Sequence, residues 1–169
     1  MPKCIALLRA VNVGGTGKLP MSDLKGICDA AGFSNVQTYI ASGNVIFDTD
    51  QPASKVKTAL EQRLEVYAGK PVGVVIRTAA EMAAVLRSNP FPKAAPNRTV
   101  AIFLDKAPAP NALDHVKGHK DEELRLGKRE IYVHYGEGMG RSRLQIPDAK
   151  LGTARNMRTV AKLVQLTQR

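Results

Sequence analysis

Tryptophan is absent from this sequence of 169 residues, and only 5% of the residues are aromatic. Proteins that hold single-stranded nucleic acid stack the bases on exposed aromatic rings, so such platforms are scarce here. An apolar run of about 18 residues, which a membrane-spanning helix needs, is also missing, and no membrane association is predicted. The first residues lack the basic segment and cleavage site of a signal peptide, so a cytoplasmic protein is expected.

Cysteine and histidine are rare as well, with two and three residues respectively. Cys4 and Cys28 fit neither a disulfide framework nor a zinc site, and we interpret both as reduced packing residues. His115 and His119 are four residues apart, but no second cluster completes a metal site. No metal and no cofactor is therefore predicted. Because no recognisable nucleophile motif is present, an enzyme is less expected than a non-enzymatic protein.

Acidic residues are fewer than basic ones: the sequence has 15 acidic and 25 basic residues, so its net charge is +10. Residues 141–169 account for +6 of this net charge, because the segment contains seven basic residues and one acidic residue, Asp148. Such asymmetry favours a polyanionic partner, with a solvated basic face as the alternative interpretation.

Short apolar segments alternate with amphipathic ones. In the first half, the patterns predict strands and helices in the order β-α-β-β-α-β, with segments at 4–13, 22–32, 36–48 (broken by a turn at 42–44), 52–69 and 71–77. This is the order of a ferredoxin-like unit. The second half repeats β-α-β-β-α after a connecting helix at 79–87. The predicted fold is α+β, with two tandem ferredoxin-like halves of antiparallel sheet at residues 1–78 and 79–169.

Polar residues converge at one edge of the first predicted sheet. In a ferredoxin-like unit the third strand lies antiparallel beside the first, so the end of strand one adjoins the turn at 42–44. Glycine-loop amides and a helix amino terminus there favour an anion. The site would contain Arg9, Asn12, Gly14, Gly15, Ser42 and Asn44. The alternative is ordinary turn and capping chemistry. A P-loop is excluded, because that motif needs glycine at 12 and serine or threonine at 19.

The carboxy-terminal segment holds a second group of candidates. Arg141 and Ser142 belong to a glycine-rich loop, while Arg155 and Asn156 fall in segment 153–156, which resembles a capped helix start. The guanidinium fork suits phosphate, although these arginines could equally pair with carboxylates of the fold. His134 is the one credible general base, with an ordinary strand position as the alternative.

Several segments together resemble the bacterial domain-of-unknown-function family 1697. They are residues 6–15, 39–47, 89–92, 132–135, 138–144 and 153–163. Two departures are visible, since the family usually has glycine where Ala10 stands and tryptophan where Met157 stands. The resemblance implies a cytoplasmic bacterial protein with two ferredoxin-like halves, and it implies no activity. Its signature residues include the candidates named above.

The sequence therefore predicts a non-enzymatic anion-binding module, with nucleic acid first and a nucleotide or other small phosphate next. One alternative is an enzyme that uses His134 as acid or base on a small phosphorylated substrate. Another is a structural or partner-binding protein. The placement of Arg9, Arg141 and Arg155 separates these hypotheses, because a shared cleft favours a ligand and internal pairing favours structure.

Overall fold

A computed structural model describes residues 2–12, 18–136 and 141–168. The chain forms two compact units. One contains the residues up to Met82 together with those from Leu163 onward, and the other extends from Ala83 to Lys162.

The first unit contains a four-stranded antiparallel sheet in the order β2-β3-β1-β4. Its elements are β1 (Lys3–Leu8), α1 (Met21–Ala30), β2 (Ser34–Tyr39), β3 (Asn44–Asp48), α2 (Ala53–Ala68) and β4 (Val74–Thr78). The central strand β1 is apolar on both faces, and it is buried from Cys4 to Leu8. The predicted strand at 4–13 is shorter in the structure, because Ala10 and Asn12 adopt positive φ angles of 56° and 53°.

Helices α1 and α2 supply the apolar side chains that cover one face of this sheet. Val56, Leu60 and Leu64 lie four residues apart on α2, which is the spacing that puts them on one helical face. They pack in the same core as Leu8 and Phe47 of the sheet. Helix α2 ends at Gly69, whose φ of 74° is readily adopted by glycine.

The second unit contains a sheet with the matching order β6-β7-β5-β8, again antiparallel throughout. Its strands are β5 (Thr99–Phe103), β6 (Glu123–Leu126), β7 (Glu130–His134) and β8 (Thr153–Asn156). Helices α3 (Ala79–Arg87) and α4 (Met157–Thr167) follow the fourth strand of each half. The positions of α1 and α2 are taken by short 3-10 helices, Ala112–His115 and Pro147–Ala149. The predicted α+β fold with two ferredoxin-like halves is confirmed.

Segment 153–156 is a strand, so the prediction of a capped helix start there is wrong. Thr153 and Arg155 are buried while Ala154 is exposed, which is the alternation of a strand paired with β5. Only Asn156 has the predicted role, because its Oδ1 accepts a hydrogen bond from the Thr159 N–H at 2.9 Å. Arg155 consequently lies before α4, and it does not share a helical face with Arg158 and Lys162.

The strand registers relate the two halves residue by residue. Ile5 and Ala101 are each the third residue of a central strand, and they pair with Arg77 and Arg155 respectively. The hydrogen bond from Leu8 N–H to the Gly43 carbonyl, at 2.8 Å, has a counterpart from Leu104 to Arg129 at 2.9 Å. This correspondence defines equivalent positions although the sequences themselves show no repeat.

None of the helices in the described part of the chain combines the length and the apolar character that a membrane crossing requires.

Candidate functional site

The end of β1 lies against the turn before β3, as the topology predicts. The Asn12 side-chain amide donates hydrogen bonds to the carbonyl oxygens of Ala41, at 2.8 Å, and Leu19, at 2.9 Å. Its Oδ1 accepts the Leu19 N–H at 2.8 Å. Both N–H groups of this side chain are therefore used to tie three backbone segments together.

Asn44 has a similar role within the turn. It is fully buried, and its amide donates to the Tyr39 carbonyl at 2.9 Å and to Ser42 Oγ at 3.0 Å. A Cβ at Gly43, where φ is 90°, would come within 2.7 Å of Val11. Through these contacts Asn12, Ser42 and Asn44 position the backbone at the end of the sheet where β1 finishes and β3 begins. Gly14 and Gly15, predicted for the same site, lie outside the described residues.

Arg9 lines a cavity of about 150 Å³, which we call the N-terminal cavity. Its backbone N–H donates to the Gly73 carbonyl at 2.9 Å, and its side chain passes Gly73, where a Cβ would be 3.6 Å from the Arg9 Cβ. Lys18 and Lys70 line the same cavity, and among the described residues its lining includes no acidic side chain. Its other walls come from Ala10, Val11, Leu19, Leu64, Tyr67, Ala68, Pro71 and Val72.

Arg141 and Ser142 line a different space, the C-terminal cavity of about 580 Å³. It lies between residues 118–122 and 141–143, with Tyr135 beside them. Lys117 and Gln145 join the two segments by a pair of backbone hydrogen bonds of 2.9 and 2.8 Å. Gly118, with a φ of 66°, approaches so closely that a Cβ would overlap the Arg143 carbonyl oxygen.

Glu122 makes a second contact between segments 118–122 and 141–143, beside the Lys117–Gln145 backbone pair. Its Oε2 accepts the Ser142 hydroxyl at 2.5 Å, and its Oε1 accepts the Lys120 N–H at 2.8 Å. These hydrogen bonds, the one from Ser142 first, lower the pKa of the Glu122 carboxyl below its ordinary 4.5. Glu122 is therefore a carboxylate at neutral pH, and it positions Ser142.

Arg155 and Asn156 line neither cavity. Arg155 is 6% exposed, and its Nη1 donates to Thr153 Oγ1 at 2.7 Å and to the Ala154 carbonyl at 2.8 Å. Burial lowers the pKa of Arg155 to about 10, so it remains protonated at neutral pH. Of the three arginines whose placement was to separate the hypotheses, Arg9 lines the N-terminal cavity, Arg141 lines the C-terminal cavity and Arg155 is bonded within its own strand.

Sequence reasoning missed Lys18, Lys70, Lys120 and the buried Arg77. The lysines belong to no spaced motif, and only their position at a cavity distinguishes them. Arg77 stands at the end of an apolar strand and is 1% exposed. The strand register alone relates it to Arg155.

His134 takes part in a contact between strands. Its Nδ1 lies 3.2 Å from Thr99 Oγ1, and its ring centroid is 5.8 Å from that of Phe91. The equivalent position in the first half is Asp48, which bonds Lys3 at 3.0 Å on the neighbouring strand. His134 is not among the residues of either cavity.

Among the described residues, no three or more histidine, cysteine, aspartate or glutamate side chains lie in an arrangement that could hold a metal ion. His115, considered above as a ligand, lies 3.2 Å from Asp148 Oδ1.

Comparison with known proteins agrees with the duplicated fold. The chain is similar to a solved structure of the conserved bacterial protein SP0830 from Streptococcus pneumoniae, with 22% identity and a TM-score of 0.81 over 98% of each chain. At this identity the likeness concerns the fold alone. No functionally curated protein matches the chain. The model of the family described as "Protein of unknown function (DUF1697)" matches residues 1–132. Because this match covers most of the sequence, the chain belongs to the DUF1697 family.

Proposed function

We propose that the protein binds the phosphate group of a small phosphorylated ligand in the N-terminal cavity. The observation that carries this proposal is the grouping of Arg9, Lys18 and Lys70 around one cavity whose described lining has no acidic residue. A guanidinium group provides a planar fork for phosphate oxygens, and ammonium groups add charge and donors. Asn12 and Asn44 support the site indirectly, because they fix the end of β1 from which Arg9 extends.

The size of the cavity supports a single phosphate group. Sites for drug-sized molecules usually have about 300–1,000 Å³. At about 150 Å³, the N-terminal cavity is smaller than this range. The remainder of a phosphorylated ligand would therefore extend outside it.

The duplicated half provides an internal comparison. Asp105 and Leu151 occupy the positions equivalent to Arg9 and Gly73, and both line a counterpart cavity of about 460 Å³. That cavity also has Asp148, with Lys106 as its basic residue. Since the same place in the fold carries acidic residues in the second half, the fold itself does not require a basic cluster in the first.

Binding is better supported than catalysis. Arginine and lysine donate hydrogen bonds and carry positive charge, which are the properties that an anion-binding site needs. The enzymatic alternative needs His134 beside a bound substrate, and His134 instead bonds Thr99.

A cytosolic location is part of the proposal, and it is supported by two free, buried cysteines.

Calorimetry with inorganic phosphate tests this proposal. We expect saturable binding to the wild type, and a loss of about threefold to tenfold in affinity for Lys70→Ala. Lys55→Ala, which removes an exposed lysine of α2 away from the cavity, is the matched control and should bind as the wild type does. Absence of binding to the wild type, or equal effects of the two substitutions, would favour a structural or partner-binding protein.

Nucleic acid is the second candidate, favoured by the net charge of +10. Fluorescence anisotropy with labelled single-stranded RNA and duplex DNA at about 50 and 200 mM salt tests it, because phosphate contacts weaken steeply over this range. Sub-micromolar affinity that falls with salt supports a nucleic-acid partner, and no binding at the lower salt concentration rejects it.

A further inference from the structure

We propose that the C-terminal cavity binds a ribonucleotide, independently of the phosphate group assigned to the N-terminal cavity. Its volume of about 580 Å³ is within the usual range for small-molecule sites. Its lining combines three kinds of group that a ribonucleotide requires: cations, a carboxylate and an aromatic ring.

The cavity has a fixed frame. Gly118 and the Lys117–Gln145 bridge hold segments 118–122 and 141–143 together. The Ser142–Glu122 hydrogen bond adds a contact that is largely buried, since Glu122 is 7% exposed. Groups held in this way lose little conformational freedom when a ligand binds, which favours affinity.

The cations supply the phosphate end of the site. Arg141 and Arg143 flank the anchored Ser142, and Lys120 faces the same cavity. Fork-like guanidinium groups bind phosphate oxygens in pairs of hydrogen bonds. Arg141, Arg143 and Lys120 are all exposed, so a ligand can reach them from solvent.

The remaining groups match the nucleoside. Both carboxylate oxygens of Glu122 accept hydrogen bonds from the frame, so Asp121 is the carboxylate assigned to the ribose hydroxyls. An acidic side chain has this role in dinucleotide-binding folds. Tyr135 is half-buried and presents the aromatic surface against which a base can stack.

Calorimetry with AMP, GMP, CMP and UMP, each beside its 2′-deoxy counterpart, tests the assignment. We expect at least one ribonucleotide to bind, and its 2′-deoxy form to bind about tenfold more weakly, as for loss of one hydrogen bond to a charged group. In Asp121→Asn this preference should fall to about twofold. Arg141→Ala should weaken both forms equally, by about tenfold, and so keep the preference for ribose.

Two controls separate this inference from the proposed function. Arg158→Ala removes an exposed arginine outside both cavities, so it should bind the ribonucleotide as the wild type does. Lys70→Ala alters only the N-terminal cavity, so it should keep the preference for ribose over deoxyribose. The inference is overturned if none of the four ribonucleotides binds, if ribo and deoxy forms bind equally to the wild type, or if Lys70→Ala abolishes binding while Arg141→Ala preserves it.

Discussion

Arg77 and Arg155 occupy the same position in the two halves, each one residue before the residue that caps the following helix. The Nη1 atom of each donates to the carbonyl oxygen of the preceding residue, at 3.0 Å in Arg77 and 2.8 Å in Arg155. Thr78 Oγ1 accepts the Glu81 N–H in the first half, as Asn156 Oδ1 accepts the Thr159 N–H in the second. A buried cation followed by a helix cap is therefore common to both halves.

Removal of either buried arginine should destabilise the protein. We expect Arg77→Ala and Arg155→Ala each to lower the free energy of unfolding by about 2–4 kcal/mol, because buried acceptors lose their donor and a cavity remains. The exposed Arg158→Ala should change it by less than about 0.5 kcal/mol. Urea denaturation measures all three. A similar effect for Arg155→Ala and Arg158→Ala would contradict a structural role for Arg155.

Acid should remove the contribution of the Ser142–Glu122 contact. Because the pKa of Glu122 is lowered on folding, this carboxylate stabilises the protein above its ordinary 4.5, and the stabilisation is lost as the pH falls through the lowered value. We expect Ser142→Ala to be less stable than the wild type at pH 7, with the difference shrinking below pH 4.5. Denaturation curves across this range measure it, and a difference independent of pH would contradict the assignment.

Gly118 should tolerate no side chain. Alanine there would combine a strained positive φ with overlap at the Arg143 carbonyl. Gly69 is the matched control, since its φ of 74° is also positive but nothing lies within 4 Å of the place that a Cβ would take. We expect about 1 kcal/mol of destabilisation for Gly69→Ala and a further 1–3 kcal/mol for Gly118→Ala. Equal losses in thermal denaturation would mean that the close approach is not maintained in solution.

The buried thiols should be unreactive in the folded protein. Burial, with a smaller contribution from Asp29, raises the pKa of the Cys28 thiol to about 12, and burial raises that of Cys4 as well. Since the thiolate is the reactive form, a disulfide reagent at about pH 8 should modify the native protein at least about a hundredfold more slowly than the unfolded chain. Spectrophotometry of the released thiol measures both rates, and rapid modification of the native protein would contradict this burial.

The fold was predictable because hydrophobic periodicity is a local signal. Leu60 and Leu64 reveal a helix by their spacing, and the uninterrupted apolar run of β1 reveals a central strand. Strand β8 was not predictable in the same way, because its inward positions are held by the polar Thr153 and Arg155. Polar side chains hide the two-residue period on which strand prediction depends.

The candidate sites were only partly predictable. The topology of a ferredoxin-like unit correctly placed Asn12 beside the turn at 42–44, since this depends on strand order alone. That the Asn12 amide uses both N–H groups on backbone carbonyls could not be deduced, because such bonds depend on the exact path of the loop. Lys70 lies at the same cavity as Arg9 because β4 pairs with β1. Local sequence patterns do not reveal such a contact between residues that are distant in sequence.

Amide chemical-shift mapping tests directly whether phosphate binds in the N-terminal cavity. Inorganic phosphate is added to the ¹⁵N-labelled protein, with sodium chloride of matched ionic strength as the reference. We expect saturable shifts concentrated at the amides of Arg9, Lys18, Lys70, Val72 and Gly73. In Lys70→Ala, but not in Lys55→Ala, these shifts should need about threefold to tenfold more phosphate to reach saturation. Shifts no larger than those caused by chloride, or shifts confined to residues outside the N-terminal cavity, would contradict phosphate binding there.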